Sequence, residues 1–291
     1  MDIEIKDLWR RFGAVEALRG VDLHIPGGMF GLLGTNGAGK TTLMRIIAGV
    51  LAATSGRVVI GGHDLASRAG RLAVQRRLGY LPQDLGLYPD LTPVEFLDYV
   101  GLLKGLDDKR ARQRQIGELL EMVGLSDVRG RKIKGFSGGM RRRVGIAQAL
   151  LGDPALIVVD EPTAGLDPEE RIRFRTLLAT IAGHRTVLLS THVVEDVAQT
   201  CRETAVMAAG RVVFTGPVAD LVRRAEGATW EVVSAGPPPT TGVVVSAVSR
   251  ADGTHYRVVS PTPPDPAAVP VVPSLEDGYV ALMHQQHQAT G

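Results

Sequence analysis

Gly34-Thr35-Asn36-Gly37-Ala38-Gly39-Lys40-Thr41 is the stretch on which the reading of this chain turns. It fits G-x-x-x-x-G-K-[ST], a phosphate-binding loop. Glycines let backbone N–H groups turn inward around a phosphate chain, where a Cβ would obstruct. The pattern gives Lys40 the reach to the β- and γ-phosphates and gives Thr41 a hydroxyl for Mg²⁺. The flanks agree with this. Met29-Phe30-Gly31-Leu32-Leu33 is apolar, as in a buried strand, and Thr42-Leu43-Met44-Arg45-Ile46-Ile47-Ala48 has helical spacing. Bound phosphates would therefore sit at a helix N-terminus. A chance glycine-rich turn has no reason to bring strand, loop and helix in this order.

Further along, Ala155-Leu156-Ile157-Val158-Val159 runs straight into Asp160-Glu161-Pro162. A parallel strand buried on both faces is expected to be continuously apolar. Asp160 at its carboxyl end is a candidate Mg²⁺ ligand beside the loop. Glu161 projects differently and suits a general base, or a group that orients the attacking water.

Between the two lies Phe136-Ser137-Gly138-Gly139-Met140, followed by Arg141-Arg142-Arg143-Val144-Gly145-Ile146-Ala147-Gln148-Ala149-Leu150. A Ser-Gly-Gly turn that opens a helix is a second anion site, made of backbone N–H groups, a hydroxyl and the positive helix end. The plainer alternative is a serine-capped helix with a solvated arginine face. One nucleotide does not need two such sites in one chain. Two chains packed head to tail do, because each supplies what the other lacks.

The remaining sequence sets the frame. Ile3, Ile5 and Leu8, Val21–Ile25 and Gly56–Gly62 read as strands near the N-terminus. Residues 90 to 150 read as helical, with Thr92 as cap, Pro93 at the first position and Glu95 in a capping-box place. Strands return at 156–160 and 186–190, with a helix near 169–182 between them, which implies a mostly parallel sheet. Nine of the 17 prolines lie in 229–291, so the composition changes there. We expect a nucleotide-binding domain over 1–228, with a helical subdomain at about 84–150, and a small α+β appendage over 229–291. The stretches Gly236–Thr241 and Pro261–Pro270 read as extended linkers. Ser274 is placed as the cap of a last helix.

A net charge of +2 gives no reason to expect a nucleic-acid partner. The single Cys201 rules out an intramolecular disulfide. Met1–Lys6 is charged and alternating, unlike a signal peptide. No run reaches the roughly 18 apolar residues of a membrane span. These features predict a protein that is soluble, or peripheral through a partner.

The order of phosphate loop, Gln83, Ser137-Gly138-Gly139, Asp160-Glu161, Ala164-Gly165-Leu166-Asp167 and His192 resembles the ABC ATPase nucleotide-binding domain over about residues 2–220. Leu81–Pro89, Ser137–Arg143 and Ser274-Leu275-Glu276-Asp277 are similar to ATP-binding subunits of bacterial ABC-2-type exporters of the daunorubicin-resistance and sodium-export kind. The resemblance implies an α/β P-loop NTPase fold with a mostly parallel core, an antiparallel β subdomain and a helical insertion. It implies ATP and Mg²⁺ as cofactors. Phe12 would stack on adenine, and Gly34 to Thr42, with Thr41 and Thr42 at the helix start, would hold the phosphates. Thr41, Gln83 and Asp160 would serve the metal. Lys40, Glu161 and His192 would carry hydrolysis, His192 by bonding the γ-phosphate. Ser137, Gly138 and Gly139 would grip the nucleotide of the other protomer, and Asp167 would line the seam. Leu87–Pro93 would face a permease. Phe136 and Met140 depart from the commonest L-S-G-G-Q signature, and the Met140 side chain cannot make an amide's hydrogen bonds. The partners implied are a second ATPase subunit, identical or related, and an integral membrane permease that handles a small-molecule or ion substrate at the cytoplasmic face. The alternative function is a soluble ABC-type ATPase acting on nucleic acid or ribosomes.

Overall fold

The computed structural model describes residues 1–183 and 185–290. The chain divides into two compact units, Met1–Cys201 with Ala205–Thr215, and Arg202–Thr204 with Gly216–Gly291.

The first unit opens with an antiparallel sheet. Its strands β1 (Ile3–Phe12), β2 (Val15–Ile25), β4 (Ser55–Ile60) and β5 (His63–Asp64) lie in the order β2-β1-β4-β5. Ile3 pairs with Ile25, Ile5 with Leu23 and Leu8 with Val21, and all six are buried. Cross-strand apolar pairs of this kind fix the register, because a one-residue slip would turn every one of them to water.

The larger sheet holds β3 (Met29–Gly34), β6 (Leu78–Leu81), β7 (Leu156–Asp160), β8 (Thr186–Thr191), β9 (Glu203–Ala208) and β10 (Arg211–Pro217), in the order β10-β9-β3-β8-β7-β6. The run β3-β8-β7-β6 is parallel throughout. Every residue of β7 and β8 is buried, which explains the apolar runs Leu156–Val159 and Val187–Leu189 at their centres. The register pairs Leu33 with Thr191, Asp160 with Ser190 and Leu81 with Val159. The carboxyl ends of four strands are thereby set side by side, at the edge where open α/β sheets bind ligands.

Helix α1 (Lys40–Ile47) follows the phosphate loop, and α2 (Arg68–Gln75) leads into β6. The helical insertion consists of α3 (Pro93–Leu103), α4 (Lys109–Met122) and α5 (Gly138–Leu150). Thr92 and Glu95 form the expected reciprocal capping box on α3. After β7 come α6 (Pro168–Ala182) and, beyond β8, α7 (Val194–Thr200).

The second unit contains α8 (Val218–Arg223), β11 (Thr229–Ser234), β12 (Val243–Arg250), β13 (Gly253–Val259), β14 (Val269–Pro270) and α9 (Leu275–Thr290). Its antiparallel sheet has the order β12-β13-β11-β14. Ala225, Val259 and Ala281 form a small core with Val245 and Val280. The stretch expected to be a linker over 261–270 ends instead in β14, whose Val269 and Pro270 pair with Glu231 and Trp230. Pro270 is tolerated there because β14 is an edge strand, where a missing N–H breaks no ladder.

Candidate functional site

A cavity of about 530 Å³ opens at the carboxyl end of β3. It is lined by Asn36 to Thr42, Gln83 and Glu161, together with Val15 to Ala17, Arg19, Ala209 and Gly210. Gly37 and Gly39 take φ of +82° and +103°. A Cβ on Gly39 would stand 2.6 Å from the Ala17 carbonyl oxygen, so the loop can close only on glycine there. No side chain caps the start of α1. Its first N–H groups have no intrahelical partner and can receive an anion.

Lys40 is buried. Its ammonium donates to the Gly34 carbonyl at 2.7 Å and the Thr35 carbonyl at 3.2 Å, and lies 3.2 Å from Glu161 Oε1. The other Glu161 oxygen, Oε2, is 2.6 Å from His192 Nδ1. One buried carboxylate is thus shared between the loop lysine and the histidine after β8. Glu161 reaches both because its backbone turns into the left-handed region, φ +48°, while its N–H donates to the Ser190 carbonyl at 2.9 Å. Such a conformation is costly for a residue with a Cβ and persists only where its surroundings hold it.

Asp160 is completely buried. Thr41 Oγ1 donates to its Oδ1 at 3.3 Å, and Oδ2 has no hydrogen bond of good geometry. Burial raises the Asp160 pKa above the usual carboxylate range, against the hydroxyls of Thr41 and Ser190 and the charge of Lys40. A buried carboxylate with a spare oxygen, next to a hydroxyl and a phosphate cradle, is a hard-oxygen donor set that suits a small divalent cation.

The other residues singled out in the sequence are placed as follows. Gly34 ends β3 and Thr35 follows it, each offering a carbonyl to Lys40, while Thr42 and Gln83 line the cavity. Phe12 is half-exposed beneath the Arg10 guanidinium, 4.4 Å from the ring centre, and does not line the cavity. Ser137 caps α5 by accepting from the Met140 N–H at 3.2 Å. Ser137, Gly138 and Gly139 stand apart from the phosphate loop and line no part of its cavity. Asp167 caps α6, accepting from the Glu170 N–H at 2.8 Å.

Two features escape the sequence reading. The Ala209-Gly210 turn closes the cavity wall, with Gly210 N–H donating to the Ala38 carbonyl at 3.1 Å. No short-range signal ties residue 210 to residue 38. The second feature is Arg142, which a solvated arginine face would have left in water. Arg141 is exposed, but Arg142 is buried and donates to backbone carbonyls at the ends of β6 and β7.

The model of the ABC transporter domain matches residues 18–164. The chain is 38% identical to an uncharacterized ABC transporter ATP-binding protein, YxlF of Bacillus subtilis, over 77% of this chain and 74% of the relative. This chain belongs to the ABC transporter ATP-binding family. The ABC ATPase is likewise 38% identical to the daunorubicin resistance ATP-binding protein DrrA3 of Streptomyces coeruleorubidus, over 77% of this chain and 71% of the relative. Among solved structures it is similar to the ATP-binding cassette MJ0796 in a dimeric post-hydrolysis state bound to ADP and Pi. That match has 26% identity and a TM-score of 0.67, and covers 74% of this chain and 98% of the other. A structure of an ATP-binding subunit of an ABC transporter matches at 31% identity and a TM-score of 0.68, over 77% and 93% of the two chains. The ABC ATPase is thus a P-loop enzyme that binds and hydrolyses ATP in the service of transport, which sets aside the nucleic-acid or ribosomal alternative. Among the described residues no helix is long and apolar enough to cross a membrane.

Proposed function

We propose that this ABC ATPase is the motor subunit of an exporter, working at the cytoplasmic face of a membrane through a permease. In this reading two ATP-binding subunits close head to tail around two ATP molecules. The observation that carries it is the arrangement of Lys40, Glu161 and His192 at the phosphate loop, with Ser137–Gly139 set apart from that loop. A signature that is absent from its own cavity is free to complete the cavity of another subunit.

The phosphate chain would take the Lys40 ammonium over from Glu161, leaving that carboxylate to accept a proton from the attacking water. His192 would hold Glu161 in place and bond the γ-phosphate, and the loop N–H groups would stabilise the phosphoryl charge. Thr41, Gln83 and Asp160 would hold Mg²⁺, which neutralises charge on the phosphates. Because closure depends on the γ-phosphate, hydrolysis reopens the pair.

Export of a small organic molecule is the direction favoured by relatives named for daunorubicin resistance, linearmycin resistance and Nod factor export. The permease would meet Leu87–Pro93, where Tyr88 is half-exposed and packs edge-on against Tyr99 at 5.7 Å.

Glu161→Gln tests the assignment. It should bind ATP, lower hydrolysis by roughly 10²-fold or more, and accumulate as a closed dimer on size exclusion. Pulled down with ATP and Mg²⁺ from detergent-solubilised native membranes, it should bring a polytopic membrane protein in stoichiometric amount. Turnover at the parent rate would remove Glu161 from its role. Recovery of only a soluble dimer would remove the permease.

A further inference from the structure

We propose that Arg142 is a positioning residue for hydrolysis, holding the Glu161 backbone turn to the start of the signature helix. This rests on Glu161 being the carboxylate that acts on water. The guanidinium of Arg142 donates to the Pro162 carbonyl at 2.6 Å, to the Glu161 carbonyl, and to the Gln83 carbonyl at 2.9 Å. Three carbonyls on two neighbouring strand ends are thus gripped by one planar fork, four residues into α5 from its first residue, Gly138.

The three acceptors are informative. Glu161 is the residue at φ +48°, and the bonds to its own carbonyl and the next one clamp the strained backbone turn that aims its carboxylate. Gln83 belongs to the cavity lining. Arg142 therefore links the helix that carries Ser137–Gly139 to two residues of the phosphate cavity, through backbone alone. A shift of α5 reaches Glu161 as a change in the direction of its carboxylate.

The flanking arginines make no such link. Arg141 is exposed, and Arg143 bonds the Val123 and Gly124 carbonyls at the end of α4. A point charge cannot replace the fork, because three carbonyls in different directions need separate N–H groups held in one plane.

The test is Arg142→Met and Arg142→Lys, measured for kcat, KM and ATP affinity beside the parent and Glu161→Gln. Displacement of a reacting group by about 1 Å can lower a rate roughly 10²-fold. Arg142→Met should therefore lose about 10- to 100-fold in kcat with KM within about threefold. Arg142→Lys should recover less than half of that loss despite its charge. In the Glu161→Gln background, Arg142→Met should leave the ATP dissociation constant within about threefold. Parent kcat in Arg142→Met, full recovery by lysine, or ATP affinity falling in step with kcat would each overturn the proposal. Should the methionine variant fail to fold, the lysine variant decides by the same kcat and affinity criteria. Normal turnover in Glu161→Gln would instead undo the reading beneath it.

Discussion

At Asp160 a carboxylate sits in the protein interior with one oxygen short of a well-formed hydrogen bond. Burial raises its pKa, so folding favours the protonated form. The stability this group contributes is complete below the ordinary carboxylate range and is lost as pH rises through its raised value. At neutral pH the charge therefore works against the fold. Asp160→Asn removes the charge and keeps the shape, and the Ser190 hydroxyl beside it can accept from the new amide. The variant should melt about 2–4 °C above the parent at pH 7.5 without nucleotide or divalent metal, the shift that ~1 kcal/mol gives in a domain of this size. The gain should shrink as pH falls toward 4, and hydrolysis should be lost. A melting temperature lower at pH 7.5 would contradict the reading. His192→Ala should lower kcat by about 10²-fold, since it strips Glu161 Oε2 of its partner at 2.6 Å. A steady-state ATPase assay checks that.

At the scale of elements, caps and close approaches fix geometry that composition does not show. Thr92→Ala removes the hydroxyl that accepts from the Glu95 N–H, leaving only the Thr92 N–H to Glu95 half of the box on α3, and should cost about 1 kcal/mol, read as a lower midpoint in urea. Gly278 in α9 faces the backbone of α8. A Cβ there would lie 2.1 Å from the Leu221 carbonyl oxygen, and neither side can give by rotating a side chain. Gly278→Ala should cost about 1–3 kcal/mol, seen as early unfolding of the second unit, whereas a neutral result would show that α8 and α9 can part freely. The element map was largely legible because its signals are local: apolar alternation at Ile3 and Ile5, the unbroken run 155–159, Thr92 three residues before Glu95. Arg141-Arg142-Arg143 was not legible. Three identical side chains in a row meet water, the strand ends and α4 respectively, and only the rotation of α5 against β6 and β7 distinguishes them.

For the whole molecule, the two units are built around separate apolar clusters, one around Phe30, Met44 and Leu188 and the other around Ala225, Val259 and Ala281. The second unit adds an ion pair that its small core needs. Asp277 is fully buried, accepts from Arg257 Nε at 2.8 Å and receives the Ser274 N–H at 2.6 Å. Burial alone would raise its pKa, but Arg257 and Ser274 outweigh this and hold it below the usual range. Its contribution to stability is thus present above the ordinary carboxylate pKa and lost as pH falls through the lowered value. Asp277→Ala should raise hydrogen exchange across residues 275–288 at least tenfold while amides of α1 keep their protection. Equal deprotection of both would mean that the units open as one.

The sequence by itself determined the chemistry near the phosphate loop and the order of strands and helices that delivers it. The loop needs glycines, a lysine and a hydroxyl within eight residues, and a buried parallel strand must be apolar up to its acidic end. Which side chains meet was decided by the parallel register together with the left-handed backbone turn at Glu161. The register sets the carboxyl ends of β3, β8 and β7 side by side, and the Glu161 carboxylate is thereby shared between Lys40 and His192, far apart in the chain. The rotation of α5 against β6 and β7 turned Arg142 inward, where the loops after two strand ends left backbone carbonyls that a buried fork of N–H groups could satisfy.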